Sequence, residues 1–314
     1  MKHIITAILI LLMGETHGQG AEVVFTINEK DIIPEGIAWD PSDNTLYVGS
    51  IQKSKILRIS PDGSVTDFVK ANQDNINQVL GMKVDGNRRL WACNNTAEHD
   101  TVNKISSVHI YDLKSGKLFK SMTLSDGKKH LFNDLYFTIA GDTYITDSMG
   151  GAIYLIRKGS DSLEEFLKPG SLIYPNGITA TRNDKKLIVS TGSGLAIVSV
   201  DLQTKEIVPI SHPKFFLIGA DGLYRYKNSL IGVQNVVYPE GVLQYTLSED
   251  EGSVTDLKYL ISNHATFDTP TTGVIAGDDF YFIANSQLTQ IEDDGELNEP
   301  QKLKNTVILK IKLP

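Results

Sequence analysis

Six short segments of this chain share one frame: an apolar or small residue, a variable second position, a glycine (once an aspartate) and an apolar residue. They are Pro34-Glu35-Gly36-Ile37, Val79-Leu80-Gly81-Met82, Phe132-Asn133-Asp134-Leu135, Pro175-Asn176-Gly177-Ile178, Ala220-Asp221-Gly222-Leu223 and Thr271-Thr272-Gly273-Val274. Their third positions, 36, 81, 134, 177, 222 and 273, lie 45, 53, 43, 45 and 51 residues apart. A single Pro-Glu-Gly or Pro-Asn-Gly is ordinary turn material. Six in register at this period point to four-stranded propeller blades.

The residues between the segments support strands. β-Branched and aromatic runs follow each one at similar offsets, separated by turn residues: "LYVGS", "KILRIS", "PDGS" and "VTDFV" in the first repeat, "FYFIAN" and "VILKIKL" in the last. No stretch carries sustained helical periodicity. The sixth repeat ends on its third strand, while "EVVFTI", residues 22–27, precedes the first segment with no other role. The expectation is an all-β chain, a six-bladed β-propeller over residues 19–314 as one domain. Its N-terminal strand should pair with residues 307–313, complete the last blade and leave no open sheet edge.

Residues 1–18 read as a secretory leader: Lys2 and His3 precede an apolar run from Ile4 to Met13, which is too short to span a bilayer. A secreted or periplasmic protein is expected. The net charge of −8 is unchanged by losing Lys2 and Glu15, and it argues against nucleic acid and anionic membrane as partners. Cys93 is the sole cysteine and sits in the apolar run "LWACNN", so it reads as an inert buried thiol rather than a nucleophile.

In a blade the first strand is innermost, so the second position of each segment faces the central channel. Those residues are Glu35, Leu80, Asn133, Asn176, Asp221 and Thr272. Two carboxylates and two amides converging on one axis are costly to bury unpaired. A divalent cation held by Glu35, Asn133, Asn176 and Asp221 removes that cost. All four donors are hard oxygens, which favours calcium, with magnesium or manganese as alternatives, and disfavours zinc. Four protein oxygens leave positions for water or substrate, as Lewis-acid hydrolysis requires.

On these residues the chain resembles the senescence-marker-protein, gluconolactonase and paraoxonase-like group of six-bladed calcium-dependent propellers. "PEGIAWD", "FNDLYF" followed by "TYITDS", "PNGIT" and "ADGLY" carry the likeness over the whole mature chain. It implies that Glu35, Asn133, Asn176 and Asp221 bind a catalytic ion, that the substrate is a lactone or related ester, and that Asp221 is the base for the attacking water. Two departures matter. Leu80 stands where paraoxonases carry a channel histidine, so a histidine mechanism does not transfer. Gly36 stands where they carry an acidic residue for a second calcium; Asp134 lacks that partner, and one ion is expected.

Loops joining second to third strands open at the same end as the channel residues. Those at 94–104 and 286–305 should shape the mouth, and His99 in the first is a candidate substrate contact. The cluster Glu292, Asp293, Asp294 and Glu296 reads as a solvated hairpin, His130 as packing near the channel, Asp147 as a turn acceptor beside Ser148, and Asn94-Asn95-Thr96 as a glycosylation sequon. Gly-x-Ser-x-Gly, phosphate-loop and zinc-helix motifs are missing from the sequence. The leading expectation is a metal-dependent hydrolase of a lactone, sugar lactones included. The alternative is a noncatalytic secreted propeller that binds a carbohydrate or protein around a structural ion. Sequencing the N-terminus of the exported protein should give a start near Gln19; an intact Met1 would contradict the leader.

Overall fold

Every sheet of this protein is covered on both faces, and the burial pattern along its strands shows why. The second strands Thr45–Ser50, Thr143–Asp147 and Ser229–Gln234 are buried at every position, whereas the outer strand Lys117–Leu124 alternates with solvent. A strand covered on both faces loses the polar side of the usual alternation. The computed structural model describes residues 20–314 except 98, 101, 193–195, 213, 215, 216, 218, 219 and 236. The leader, residues 1–18, lies outside the described residues.

The described strands form six antiparallel four-stranded sheets, five of them running in chain order from an inner strand outward. Blade 1 begins at Pro34–Asp40, blade 2 at Gln78–Val84, blade 3 at Phe132–Phe137, blade 4 at Ile178–Ala180, blade 5 at Ala220–Tyr226 and blade 6 at Gly273–Ala276. The last blade holds Gly273–Ala276, Asp279–Ile283 and Thr306–Lys312, and its outer strand is the N-terminal Glu22–Ile27. Glu22 pairs with Lys310 and Ile27 with Thr306, which is the closure that the one-strand deficit predicts. Helix is confined, among the described residues, to three single-turn 3₁₀ segments, two of them in the long loop of blade 6.

The apolar core is divided into six clusters, one between each pair of neighbouring blades. Tyr47, Ile56 and Val69 of blade 1 pack on Val79, Leu90 and Tyr111 of blade 2, and Ile27, Ile283 and Ile308 of blade 6 pack on Leu46, Val48 and Leu57 of blade 1. At the axis the blades approach to backbone contact. A Cβ on Gly36 would lie 1.9 Å from the Leu80 carbonyl oxygen, one on Gly81 2.4 Å from that of Asn133, and one on Gly177 2.4 Å from that of Asp221. At these three positions the glycine is thus a closeness requirement of the ring, set by the next blade's own motif, whereas at Gly222 and Gly273 the nearest atoms belong to Tyr224 and Phe280 of the same blade. Cys93 is fully buried in the cluster between blades 2 and 3, where burial pushes its thiol pKa well up.

Gly177→Ala should lower stability by about 1–3 kcal/mol, because the added methyl meets backbone that cannot yield. Gly86→Ala, in a turn where a Cβ meets nothing within 4 Å, should change it by less than about 0.5 kcal/mol. Urea denaturation of the two variants side by side checks the contrast.

Candidate functional site at the channel mouth

The motif residues reach the channel through an irregularity in the inner strand. In blade 1, Pro34 pairs with Ser50 and Ile37 with Val48, so Glu35 and Gly36 together face one residue of the second strand. The same two-against-one bulge falls on Leu80 and Gly81, on Asn133 and Asp134, and on Asp221 and Gly222. In blade 4 the Asn176 amide donates to the Ser190 carbonyl while Ser190 N–H donates to the Gly177 carbonyl, which repeats the arrangement just ahead of the strand. A bulge bends its strand and re-aims the extra side chain. The motif residues therefore do not simply begin the inner strands, as the sequence suggests; in blades 1, 2, 3 and 5 they lie inside strands that the bulge kinks toward the axis.

Glu35, Leu80, Asn133, Asn176 and Asp221 line one cavity of about 590 Å³ that opens at this end of the channel. Thr272 of blade 6 behaves differently, since its hydroxyl donates to the Glu35 backbone carbonyl and joins the last blade to the first. Glu35 is 4% exposed and Asp221 8%. Burial first, and then the charges of Asp221 and Asp134, hold the Glu35 pKa well above the ordinary carboxylate value. Burial also raises Asp221 to about 6, against hydrogen bonds from Asn235 and Asn176 that favour its ionised form.

Two polar atoms in this group have no hydrogen-bond partner: Glu35 Oε2 and Asn176 Oδ1. Buried acceptors are normally satisfied. Two orphaned hard oxygens beside two repelling carboxylates are the environment a divalent cation relieves, and the donor set fits calcium better than a softer metal. Among the described residues no group of three or more His, Cys, Asp or Glu side chains gathers as a metal cage, so an ion here depends on the two amides as well.

Asn235 is the participant that sequence reasoning missed. It lines the cavity, and its amide donates to Asp221 Oδ2 at 2.6 Å and to the Pro270 carbonyl at 2.9 Å, fixing the carboxylate against the start of blade 6. Asn235 directly follows the second strand of blade 5, outside any repeated segment, so only its position at a strand end facing the mouth hinted at the role. Asp134 turns away from the mouth toward a second cavity at the far end of the channel. There it pairs with Lys83 at 2.8 Å and accepts from the Leu135 and Ile178 amides.

The two long loops do meet over the cavity. His99 is exposed, lines the mouth and packs on Gly295, and Gln52 donates to the Gly295 carbonyl at 3.1 Å. Glu292 and Asp293 face the mouth from a tight hairpin closed by the Glu292 amide and the Glu296 carbonyl. His130 is locked between Asp147 at 2.6 Å and Asp126 at 3.0 Å; burial alone would lower its pKa, but these two carboxylates outweigh it and raise it. Asp147 also accepts from the Leu131 and Gly150 amides, the turn role its position suggests, and Ser148 donates to the Pro175 carbonyl. The sequon residue Asn94 is buried, with its oxygen taken by the Asn77 amide and its amide by Ser107, so the side chain is not presented for glycosylation.

The raised pKa of Asp221 has a stability consequence in ion-free protein. Below about pH 4 the carboxyl is protonated folded and unfolded, and no penalty arises. Between about 4 and 6 the unfolded chain ionises first, so stability falls as pH rises, by about 3 kcal/mol for a shift of this size. Urea titrations in chelator from pH 4 to 8 should therefore show Asp221→Asn gaining on the native protein by about that amount, with the gain complete near pH 7. A pH-independent difference would contradict the assigned cause.

No curated protein matches the chain in sequence. Among solved structures it is similar to a gluconolactonase of Xanthomonas campestris, at 15% identity and TM-score 0.62 over 93% of this chain and 89% of that one. The calcium-binding protein regucalcin of Agrobacterium tumefaciens matches at 14% and 0.62, covering 93% and 96%. Virginiamycin B lyase of Staphylococcus aureus matches at 15% and 0.60, covering 92% and 98%. At these identities the likeness establishes the fold and no chemistry, as the presence of a lyase makes plain. The profile of the SMP-30/Gluconolactonase/LRE-like region matches residues 33–222, more than half of the chain, with four of its six motif segments whole and the fifth through Gly222, and the protein belongs to that family.

Proposed function

We propose that this protein hydrolyses lactones in the mouth cavity, with a divalent cation, calcium first and magnesium or manganese next, held by Glu35, Asn133, Asn176 and Asp221. The observation that carries the reading is the pair of buried carboxylates beside the unpartnered Glu35 Oε2 and Asn176 Oδ1, all lining a cavity open to solvent. A bound cation supplies Lewis acidity to the ester carbonyl and offsets both negative charges. Family membership and the gluconolactonase among the structural relatives support the same chemistry.

The chain's own groups divide the work. Asp221 accepts a proton from the attacking water. In the ion-free protein burial raises its pKa to about 6, and a bound cation favours its ionised form, so it is ionised at neutral pH and free to accept the proton. Asn235 keeps that carboxylate in one orientation, so the base does not have to be ordered during the reaction. Glu35 contributes negative charge from a position fixed by the blade 1 bulge. His99, at the rim, contacts the part of the substrate that projects from the cavity. Export and a small-molecule substrate, rather than nucleic acid or membrane, complete the reading, supported by the leader-like residues 1–18 and the net charge of −8.

Two variants test it. Asp221→Asn should lower kcat at saturating calcium about a hundredfold or more and should not recover with added metal. Asn176→Ala leaves the base in place, so its loss should be mainly in metal affinity and should be recovered by raising the calcium concentration. Full activity in both variants would overturn the reading. Calcium binding without turnover of any sugar or alkyl lactone would leave a binding propeller around a structural ion.

A further inference from the structure

The lining of the mouth cavity carries one continuous hydrocarbon patch among its polar groups. Its floor and the side formed by blades 4 and 5 are polar, through Asn176, Asp221 and Asn235. Beside them lies a hydrocarbon patch made by Ile51 from blade 1, Leu80 from blade 2, Leu131 and the Tyr174 ring from the segments that lead into blades 3 and 4, and Leu288 and Ile291 from the blade 6 loop, with Gln78, Lys129, His99, Glu292 and Asp293 also lining the cavity. The six side chains of the patch belong to one apolar cluster, which continues down between blades 2 and 3 to Val108 and Phe132. Ile51, Leu80 and Leu131 are each less than a tenth exposed, so the wall is built into the core.

We infer that this wall receives an alkyl or aryl substituent of the lactone, and that the substrates are lactones with a hydrocarbon side chain rather than polyhydroxylated sugar lactones. The inference rests on the lactone-hydrolase reading above and corrects its sugar-lactone form. A sugar lactone presents hydroxyls around most of its ring, and each one pressed against Ile51, Leu80 or Leu131 would lose its water partners without gaining a protein one. Leu80 sharpens the point. It occupies the same bulge position as Glu35, Asn133 and Asp221, so a hydrocarbon chain lies beside the reacting carbonyl itself rather than at a remote rim. An alkyl chain on the ring gains there from transfer out of water, while the ring carbonyl stays over the polar floor.

The test uses calcium-loaded protein and two readouts. The first is kcat/KM for γ-butyrolactone, γ-hexalactone, γ-octalactone and glucono-δ-lactone. The second is calorimetric affinity for the matching alkyl lactams, which share the ring carbonyl and resist hydrolysis. Both should rise about threefold to fourfold per methylene until the chain outgrows the wall. γ-Octalactone should exceed glucono-δ-lactone by at least about tenfold. Leu288→Ser and Ile291→Ser, half-buried on a loop and so tolerant of change, should flatten the rise with chain length in both readouts. Lactam affinity that climbs with chain length while no lactone is turned over would sink the hydrolase reading and keep the wall. Turnover or binding that is flat with chain length, or that favours the sugar lactone, overturns the inference even if the hydrolase reading stands.

Discussion

The ring closes only because six sheets can bring their inner strands to backbone contact around one axis. Gly36 against the Leu80 carbonyl, Gly81 against that of Asn133 and Gly177 against that of Asp221 are the points where this happens. Hydrogen bonds follow the same path, with Gly177 N–H donating to the Asp221 carbonyl and Thr146 Oγ1 to the Asn176 carbonyl. Each blade therefore positions the next one at the motif. An error there would propagate around the ring, whereas the outer strands, alternating with solvent, tolerate sequence change.

The same few residues that close the ring also build the site, and this coupling explains why the two are inseparable in the sequence. A two-against-one bulge makes room for the glycine contact and throws the preceding side chain into the channel. Four of the six motif positions, Glu35, Asn133, Asn176 and Asp221, present oxygen to the cavity and form the floor. Leu80 starts the apolar wall, and Thr272 is spent on holding the Glu35 carbonyl, which ties the sixth blade to the first. The N-terminal strand on the outer edge of blade 6 completes a closed circle, and a closed circle is rigid enough to hold like charges together that an open sheet would let drift apart.

Most of the architecture was legible because it is encoded locally. Period, strand runs and the N-terminal closing strand all follow from segments of fewer than ten residues. The floor was legible for the same reason, since Glu35, Asn133, Asn176 and Asp221 each sit inside a repeated frame. What the sequence hid depends on residues brought together from different blades. Asn235 belongs to no repeat and meets Asp221 only in the folded ring. Lys83 neutralises Asp134 from the neighbouring blade. The apolar wall needs the blade 6 loop to lie over blades 1 to 3, a placement that no local pattern specifies. Asn94 reads as a surface sequon until its strand end is seen to be covered by residues 75–77.

The two carboxylates of the floor are not equivalent, and their difference assigns their parts in the proposed reaction. Asp221 accepts hydrogen bonds from Asn235 and Asn176, which offset part of its burial and leave its pKa at about 6. Glu35 keeps one oxygen without a partner and feels both Asp221 and Asp134, so its charge is the harder one to maintain. Environments that push two acids apart in this way separate their roles. Glu35, with one oxygen unpartnered, is the group whose charge the proposed cation would stabilise. Asp221, whose ionised form the protein already supports through two amides and whose basicity burial raises, is the proton acceptor of the proposed reaction. In the proposed reaction the unsupported carboxylate is therefore the ion's and the supported one the proton acceptor, and the fold bears the instability of two buried acids through the closure of its ring.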